Sequence, residues 1–292
     1  MVGRDGFVVI DKPPGITSHD VVARLRRVLG TRRVGHGGTL DPQATGVLIV
    51  AVGRATRLLR WVSAGDKCYR AVVRLGSTTT TDDADGEVLA TASVEDVARV
   101  DDARIGAAID TFRGAISQRP SSVSAIKVDG KRAHARVRAG EVVELPPREV
   151  TISDLRWELV RRDAHSIDLD IDVCCSSGTY VRALARDLGE SLGVGGHLLS
   201  LRRTSVRGFT VDEARSLEDV TPDDVTPMAA AVERILPVFR LDASQVKAMR
   251  HGQPVPWPCD SEVTHAFLSA DDEVVAIGSA DSGNVRYDCV LA

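Results

Sequence analysis

Residues 165–193 change their period without a break, and that junction limits the folds open to the chain. HSIDLDIDV (165–173) alternates apolar and polar residues, so Ile167, Leu169, Ile171 and Val173 share one face of an extended strand. In CCSSGTYVRALARDLGESLG (174–193) the apolar spacing becomes helical. Val181, Leu184, Leu188 and Leu192 then fall on one stripe, and Gly193 ends the helix. A half-buried strand that feeds an amphipathic helix calls for a sheet covered by helices. The rest of the chain agrees. Residues 7–10 (FVVI), 47–52 (VLIVAV) and 69–75 (YRAVVRL) read as strands, the second buried on both faces. Ser18 is expected to cap a helix through Leu29, with Val21, Val22, Leu25, Val28 and Leu29 inward and Gly30 as its stop. Ser93–Phe112 reads as helical, in two pieces. Strands and helices do not follow a strict βαβ rhythm, so the expectation is α+β rather than a doubly wound sheet.

Two segments differ from this pattern. Residues 117–147 are polar and basic with little periodicity, and read as a long insertion. After Pro237 a short helix (243–250) precedes the proline-rich HGQPVPWPCD and three short strands, which suggests a small β domain. Net charge is −4, but the basic residues cluster. RLRRVLGTRR (24–33) holds five arginines and no acid, and residues 118–148 hold seven basic residues against three acids. LRRTSVR (201–207) adds three more arginines, while acids collect in 212–224. Separation of sign along the chain suits a polyanionic partner. No apolar run approaches the roughly 20 residues that span a bilayer. MVGRDGFVVIDKPPG has too short an apolar core for a signal peptide. The five cysteines, Cys68, Cys174, Cys175, Cys259 and Cys289, show no Cys-x-x-Cys spacing. They read as reduced thiols of a cytoplasmic protein, with no metal site and no disulfide framework.

In GHGGTLDPQATGVLIVAVG (35–53), Gly37 and Gly38 allow positive φ or a close approach of other atoms. Pro42 biases Asp41 toward an extended conformation. A stiff loop with one acid at its tip, leading into a buried strand, suits a positioned nucleophile or base. Asp-Pro is equally a common turn pair. Arg182 opens a helix, an unfavourable place for a cation unless an anionic partner is present. GVGGH (193–197) follows a helix and lacks the dinucleotide spacing.

Five motifs occur in order: DKPPGITSHDVV (11–22), GHGGTLDPQATGVL (35–48), YRAVVRLGSTTTTDDADGE (69–87), SSGTYVRALARDLGESLG (176–193) and HLLSLRRTSVRGF (197–209). Together they resemble the TruB family of tRNA pseudouridine-55 synthases over about the first 210 residues. The resemblance implies an α+β pseudouridine synthase fold with a mixed or antiparallel central sheet flanked by helices. A catalytic domain would cover 1–235, with an RNA-gripping insertion at about 117–147, and a small PUA-like domain would cover 236–292. It implies an isomerase that converts the uridine at position 55 of the tRNA T-loop to pseudouridine, with no metal and no organic cofactor. The expected partner is the T-stem-loop of tRNA. The expected enzyme is a cytoplasmic monomer with no obligate protein partner and no membrane association.

Carried over by motif, Asp41 matches the catalytic aspartate, Tyr69 the tyrosine that stacks on the target base, and Arg182 the arginine paired with the aspartate. Tyr180 and Leu201 match residues lining the uracil pocket, and His36 the histidine that enters the opened loop. Lys12 and Pro13 match a motif supporting the site from behind. Lys127, Lys131, Arg132, Arg202 and Arg203 are the candidates for RNA backbone contacts.

The chemistry fits these roles. A base must leave its stack before its glycosidic bond can react, at a cost of roughly a few kcal/mol. The carboxylate then adds to the base, attacks the sugar carbon or removes a sugar proton, and sequence does not choose among these. The insertion departs from the family pattern: VSAIK (123–127) stands where Tyr-Ser-Ala-x-Lys is usual, so phosphate contacts would dominate over stacking there. Two other classes remain open, a non-catalytic RNA-binding protein and a nucleoside hydrolase. A hydrolase needs a second carboxylate, for which Asp83 and Asp85 are available.

Overall fold

A computed structural model of the chain describes residues 5–121, 127–128, 131–132, 145–258 and 262–291. By its contacts the chain divides into two compact units, Met1–Gly65 with Ser205–Ala292, and Asp66–Thr204. Both are α+β, as the mixture of periods predicts.

The first unit opens with β1 (Gly6–Lys12), α1 (Ser18–Val28), β2 (Val34–Gly37), β3 (Thr45–Val52) and α2 (Leu59–Ser63). β1 and β3 pair antiparallel from Gly6 opposite Val52 to Lys12 opposite Gly46, and β2 lies on the other edge of β3. The expectation that Val47–Val52 is buried on both faces holds throughout β3. The cap of α1 differs from the expected one by a residue. Thr17 is the N-cap, in a capping box with Asp20, and Ser18 is buried. The Ser18 hydroxyl instead accepts from Leu40 N at 2.9 Å and donates to Leu40 O at 3.1 Å. Threonine and serine are both N-cap types, and the buried contact to the 38–44 loop takes Ser18 out of that role.

The second unit begins with β4 (Lys67–Leu75), the hairpin β5 (Ser77–Thr79) and β6 (Val88–Thr91), then α3 (Val94–Ala98), α4 (Asp102–Asp110) and β7 (Gly114–Gln118). A short ribbon, β8 (Lys127–Val128) and β9 (Lys131–Arg132), is the described part of the insertion, whose residues 122–126, 129–130 and 133–144 lie outside the described set. β10 (Arg148–Arg162), β11 (Ile167–Cys175), α5 (Val181–Leu192) and β12 (Gly196–Val206) complete the unit. The strand order is β12-β4-β11-β10-β7, and β4, β11, β10 and β7 pair antiparallel. Tyr69, Ala71, Val73 and Leu75 face inward on β4, and so do Ile167, Leu169, Ile171 and Val173 on β11. On the outer face Arg74 grips Asp168 through two bonds of 2.8 Å, and Arg70 pairs with Asp172.

The expectation of five reduced thiols is overturned on this outer face. Cys68 and Cys174 stand directly opposite each other in the β4–β11 register, with Cα atoms 4.0 Å apart, and are joined by a disulfide. Their 106-residue separation hid the pair, because only strand register brings them together. Cys175 faces inward, and burial pushes its thiol up to about 11.

The first unit is completed by β13 (Phe209–Thr210), β14 (Arg215–Ser216), β15 (Thr226–Pro227), α6 (Met228–Ile235), β16 (Val238–Arg240), α7 (Ala243–Arg250), β17 (His265–Leu268), β18 (Val274–Asp281) and β19 (Asn284–Val290). β14 pairs parallel and β15 antiparallel with β1, which makes this sheet mixed. The last four strands form a separate sheet in the order β16-β17-β18-β19. Ala266, Leu268 and Ile277 from it share one apolar core with Phe7, Ile49 and Val232. Among the described residues no helix is long and apolar enough to cross a membrane.

Gly189 of α5 lies against the turn that follows the helix. A Cβ there would stand 2.1 Å from Gly195 C and Gly196 N. Alanine gains up to about 1 kcal/mol of helix propensity over glycine, but a backbone overlap of this depth forces the helix off the turn. Gly189→Ala is therefore expected to lower the urea midpoint of unfolding. An unchanged or raised midpoint would contradict the packing.

Candidate active site

The loop carrying Asp41 is fastened from below. Gly38 takes φ +92°, as its type allows, and Gly37 lies where a Cβ would meet Val62 at 2.7 Å. The 38–44 segment is tied to the start of α1 through Leu40 and Ser18. Its far side is tied to Lys12, which is 0% exposed at the end of β1. The Lys12 ammonium donates to Pro13 O at 2.8 Å, Ile16 O at 2.8 Å and Pro42 O at 2.9 Å. Gly15 N also donates to Pro42 O, and Ala44 N donates to Asp41 O. Asp41 itself is half-buried at the top of this frame. His36 is half-buried on β2, opposite Val50. Pro13 is exposed and contributes its carbonyl.

The second unit carries Tyr69, Arg182, Tyr180 and Leu201. Tyr69 points inward from β4 and is 8% exposed. Arg182, in the first turn of α5, is buried, and its guanidinium meets Asp83 Oδ2 at 3.4 Å and Thr81 O at 3.0 Å. That supplies an anionic partner for a cation at a helix N-terminus. Asp83 also accepts from Thr81 Oγ1 and Asp85 N, and bridges to Leu198 of β12. It is fully engaged in a turn, which argues against use as a free second acid. Arg186, one helical turn on, pairs with Asp82 at 3.2 Å and donates to Arg119 O. The Thr-rich loop is thus tied to α5 at two arginines.

Tyr180 is the N-cap of α5. Its peptide is bracketed by Gln118, 0% exposed, whose side chain accepts from Tyr180 N at 2.8 Å and donates to Tyr180 O at 3.1 Å. Arg148 lies over the Tyr180 ring, 5.8 Å from its centroid. Nothing in the sequence marks Gln118, since the contact spans 62 residues. Leu201 and Arg202 are half-buried on β12.

Arg203 does not suit the RNA-backbone role expected of it. It is 1% exposed, and Tyr69 is among the groups that act on its guanidinium. Burial lowers its pKa, and the phenol partly opposes that shift. The run Leu201-Arg202-Arg203 reads as a basic surface only if strand alternation is ignored. Alternation places Arg203 inward with Leu201. The side chains of Lys127, Lys131 and Arg132 lie outside the described set.

Residues 26–181 match the N-terminal domain of the TruB family of pseudouridylate synthases. The chain belongs to this family. Residues 182–236 match the tRNA pseudouridylate synthase B C-terminal domain. Among TruB relatives, the tRNA pseudouridine synthase B of Thermobifida fusca is 48% identical over 99% of this chain and 99% of that protein. The proteins so named from Mycobacteroides abscessus and Rhodococcus jostii are 49% and 54% identical over 99% and 85% of this chain, and over 97% and 81% of their own lengths. A solved Cbf5-Nop10-Gar1 complex contains a chain that matches with TM-score 0.73 and 28% identity, covering 98% of this chain and 85% of that one. An H/ACA RNP bound to a substrate RNA containing 2'-deoxyuridine matches equally well at 26% identity, over 98% of this chain and 85% of that one. The TruB fold is thus shared well beyond the closely similar sequences.

Lys12→Met keeps an unbranched side chain one atom shorter and removes all three donors. The three carbonyls then lose a charged donor at a site closed to water, so a loss of about 2–3 kcal/mol in unfolding free energy is expected from urea titration. A loss below about 0.5 kcal/mol would mean that the ammonium does not fasten the loop.

Proposed function

We propose that this chain converts the uridine at position 55 in the tRNA T-loop to pseudouridine. The observation that carries the reading is the Asp41 loop: one carboxylate on a stiff turn, fixed through Pro42 O to a buried ammonium, in a chain about half identical to proteins named tRNA pseudouridine synthase B. The isomerisation breaks the bond from ribose C1′ to nitrogen 1 of uracil and forms one from C1′ to carbon 5. Asp41 supplies the oxyanion, whether it adds to the base, attacks the sugar or takes a sugar proton. Tyr69 stacks on the extruded base, and Arg182 keeps the carboxylate ionised and directed. Tyr180 and Leu201 confine the free uracil while it turns. Retention of both fragments is worth up to roughly 7–11 kcal/mol in such reactions. His36 fills the gap in the opened loop, with Lys12 and Pro13 supporting from behind.

Backbone contacts fall to Lys127, Lys131, Arg132 and Arg202. Residues 1–235 serve as the catalytic domain and 236–292 as a PUA-like RNA-binding domain. The enzyme works in the cytoplasm as a monomer, without an obligate protein partner or added cofactor.

A T-stem-loop RNA tritiated at carbon 5 of uridine tests the reaction, because isomerisation releases that label to water. Purified protein without additives is expected to release it and to yield pseudouridine on nucleoside analysis. Unchanged RNA would favour a binding protein, and free uracil a hydrolase. Asp41→Asn is expected to cut turnover by about 10³ or more while RNA binding stays near wild type. Substituting Lys127, Lys131 and Arg132 together with alanine is expected to reduce the slope of log affinity against log salt by about 2 to 3. An unchanged slope would remove these residues from the RNA interface.

A further inference from the structure

We propose that Gln118 is a positioning residue for Tyr180, whose main chain it grips on both sides of Cα so that the ring keeps one direction in the uracil pocket. The proposal rests on the pocket-lining role given to Tyr180 above.

Tyr180 stands at the N-cap of α5, where Ser, Thr, Asp and Asn are favoured because their side chains accept a bond from the first turn. Tyrosine makes no such bond here. In a capping box the residue three positions on reaches back to the N-cap amide, but that residue is Ala183 and has nothing to reach with. Gln118 makes this contact from β7, 62 residues away. Its Oε1 accepts from Tyr180 N at 2.8 Å, and its Nε2 donates to Tyr180 O at 3.1 Å. The same carbonyl receives Leu184 N at 3.1 Å, the first bond of the helix.

Two bonds to one residue do more than satisfy polar atoms. The N–H and the C=O of Tyr180 belong to the two peptide planes that flank its Cα, and a tie to each holds φ and ψ. The residue sits at φ −108° and ψ 108°, outside the helical region although the helix begins one residue later. With both torsions held, the direction of the Cα–Cβ bond is held as well. The ring keeps only its own two torsions, and Arg148 lies 5.8 Å from its centroid. Arg148 is directly opposite Gln118 in the β7–β10 register. β7 ends at Gln118 and β10 begins at Arg148, so the insertion leaves the sheet and returns to it at the pair that holds Tyr180. RNA gripped by the insertion is thus registered against the pocket through these two side chains. An aromatic residue at a position that favours capping types, with the missing tie supplied from another strand, marks the ring rather than the helix end as the part in use.

Turnover of the T-stem-loop is measured for Gln118→Met, Gln118→Glu and Tyr180→Ala, with kcat and KM separated and the thermal midpoint recorded at each pH. Gln118→Met fills a similar volume without polar atoms. It is expected to lower kcat about tenfold or more, with KM for RNA changed by less than about threefold. Gln118→Glu carries the sharper readout. Its ionised carboxylate accepts from Tyr180 N but opposes Tyr180 O, whereas its protonated form donates to that carbonyl as the amide does. Burial raises the pKa of such a carboxyl, so the donating form is populated as pH falls. The ratio of Gln118→Glu kcat to wild-type kcat is expected to rise about fivefold between about pH 8 and about pH 6, while the ratio for Gln118→Met stays flat. Where Gln118→Met does not fold, the pH ratio of Gln118→Glu decides alone. A flat ratio for Gln118→Glu would overturn the two-bond grip, and wild-type kcat in Gln118→Met would overturn the positioning role. Normal turnover by Tyr180→Ala would instead remove Tyr180 from the pocket and the proposal with it, and absence of pseudouridine from the wild-type chain would remove the reaction itself. The failures are told apart by which protein gives the unexpected result.

Discussion

An ammonium group with no access to water sits under the loop that carries Asp41. Taking a lysine out of solvent is costly, and the cost is met only when every donor finds an acceptor. Lys12 meets that condition with three main-chain carbonyls on two sides of the loop. A compact point charge with three rotatable donors suits three carbonyls converging from different directions, where a planar guanidinium would not. The carbonyls of Pro13 and Ile16 belong to the turn after β1, and that of Pro42 belongs to the residue following Asp41. The position of the carboxylate is therefore set by the strand that ends at Lys12, and through it by the β1–β3 ladder and the apolar core beneath. Ser18 adds a second, neutral tie on the other side of Asp41.

The second unit solves a similar problem with arginines. Arg182, Arg186 and Arg203 are each withdrawn from solvent to a different degree. Arg182 reaches Asp83 and a carbonyl, and Arg186 reaches Asp82, Asp187 and a carbonyl. The Thr-rich loop 77–87 gains its shape from these arginines as much as from its own hairpin. Low local dielectric makes such pairs strong when complete and expensive when broken. Gln118 acts in the same way without charge, closing both hydrogen bonds of the Tyr180 peptide.

Much of this was legible in the sequence, for identifiable reasons. β3, β4, β11 and α5 have one face or both buried, so their apolar period is undiluted, and Gly30 and Gly193 stop their helices in the left-handed conformation that glycine tolerates. The stiff Asp41 loop was legible from Gly38 and Pro42. Other features were not. β10 has no clear period in the sequence because its end, from Leu159 to Arg162, is exposed on both faces and its alternation fades into charge. The Cys68–Cys174 pair depends on register between strands far apart in sequence. The burial of Arg203 is not legible because a run of two arginines carries no mark of which one turns inward. The roles of Lys12 and Ser18 depend on carbonyls and amides, which no side-chain pattern reports.

The burial of Arg203 beside an outward Arg202 has a consequence for how this gene can drift. A strand repeats every two residues, so an insertion of one codon between 196 and 200 would put Arg202 in the buried position of Arg203 and turn Arg203 outward. The charge of the protein would be nearly unchanged, and so would the local composition. Leu201 would be turned to the outer face, and Ser200 would take its place on the inner one. Length in this segment should therefore be far more rigid over evolutionary time than the identity of its exposed residues, which makes spacing rather than chemistry the feature to watch when distant sequences are aligned.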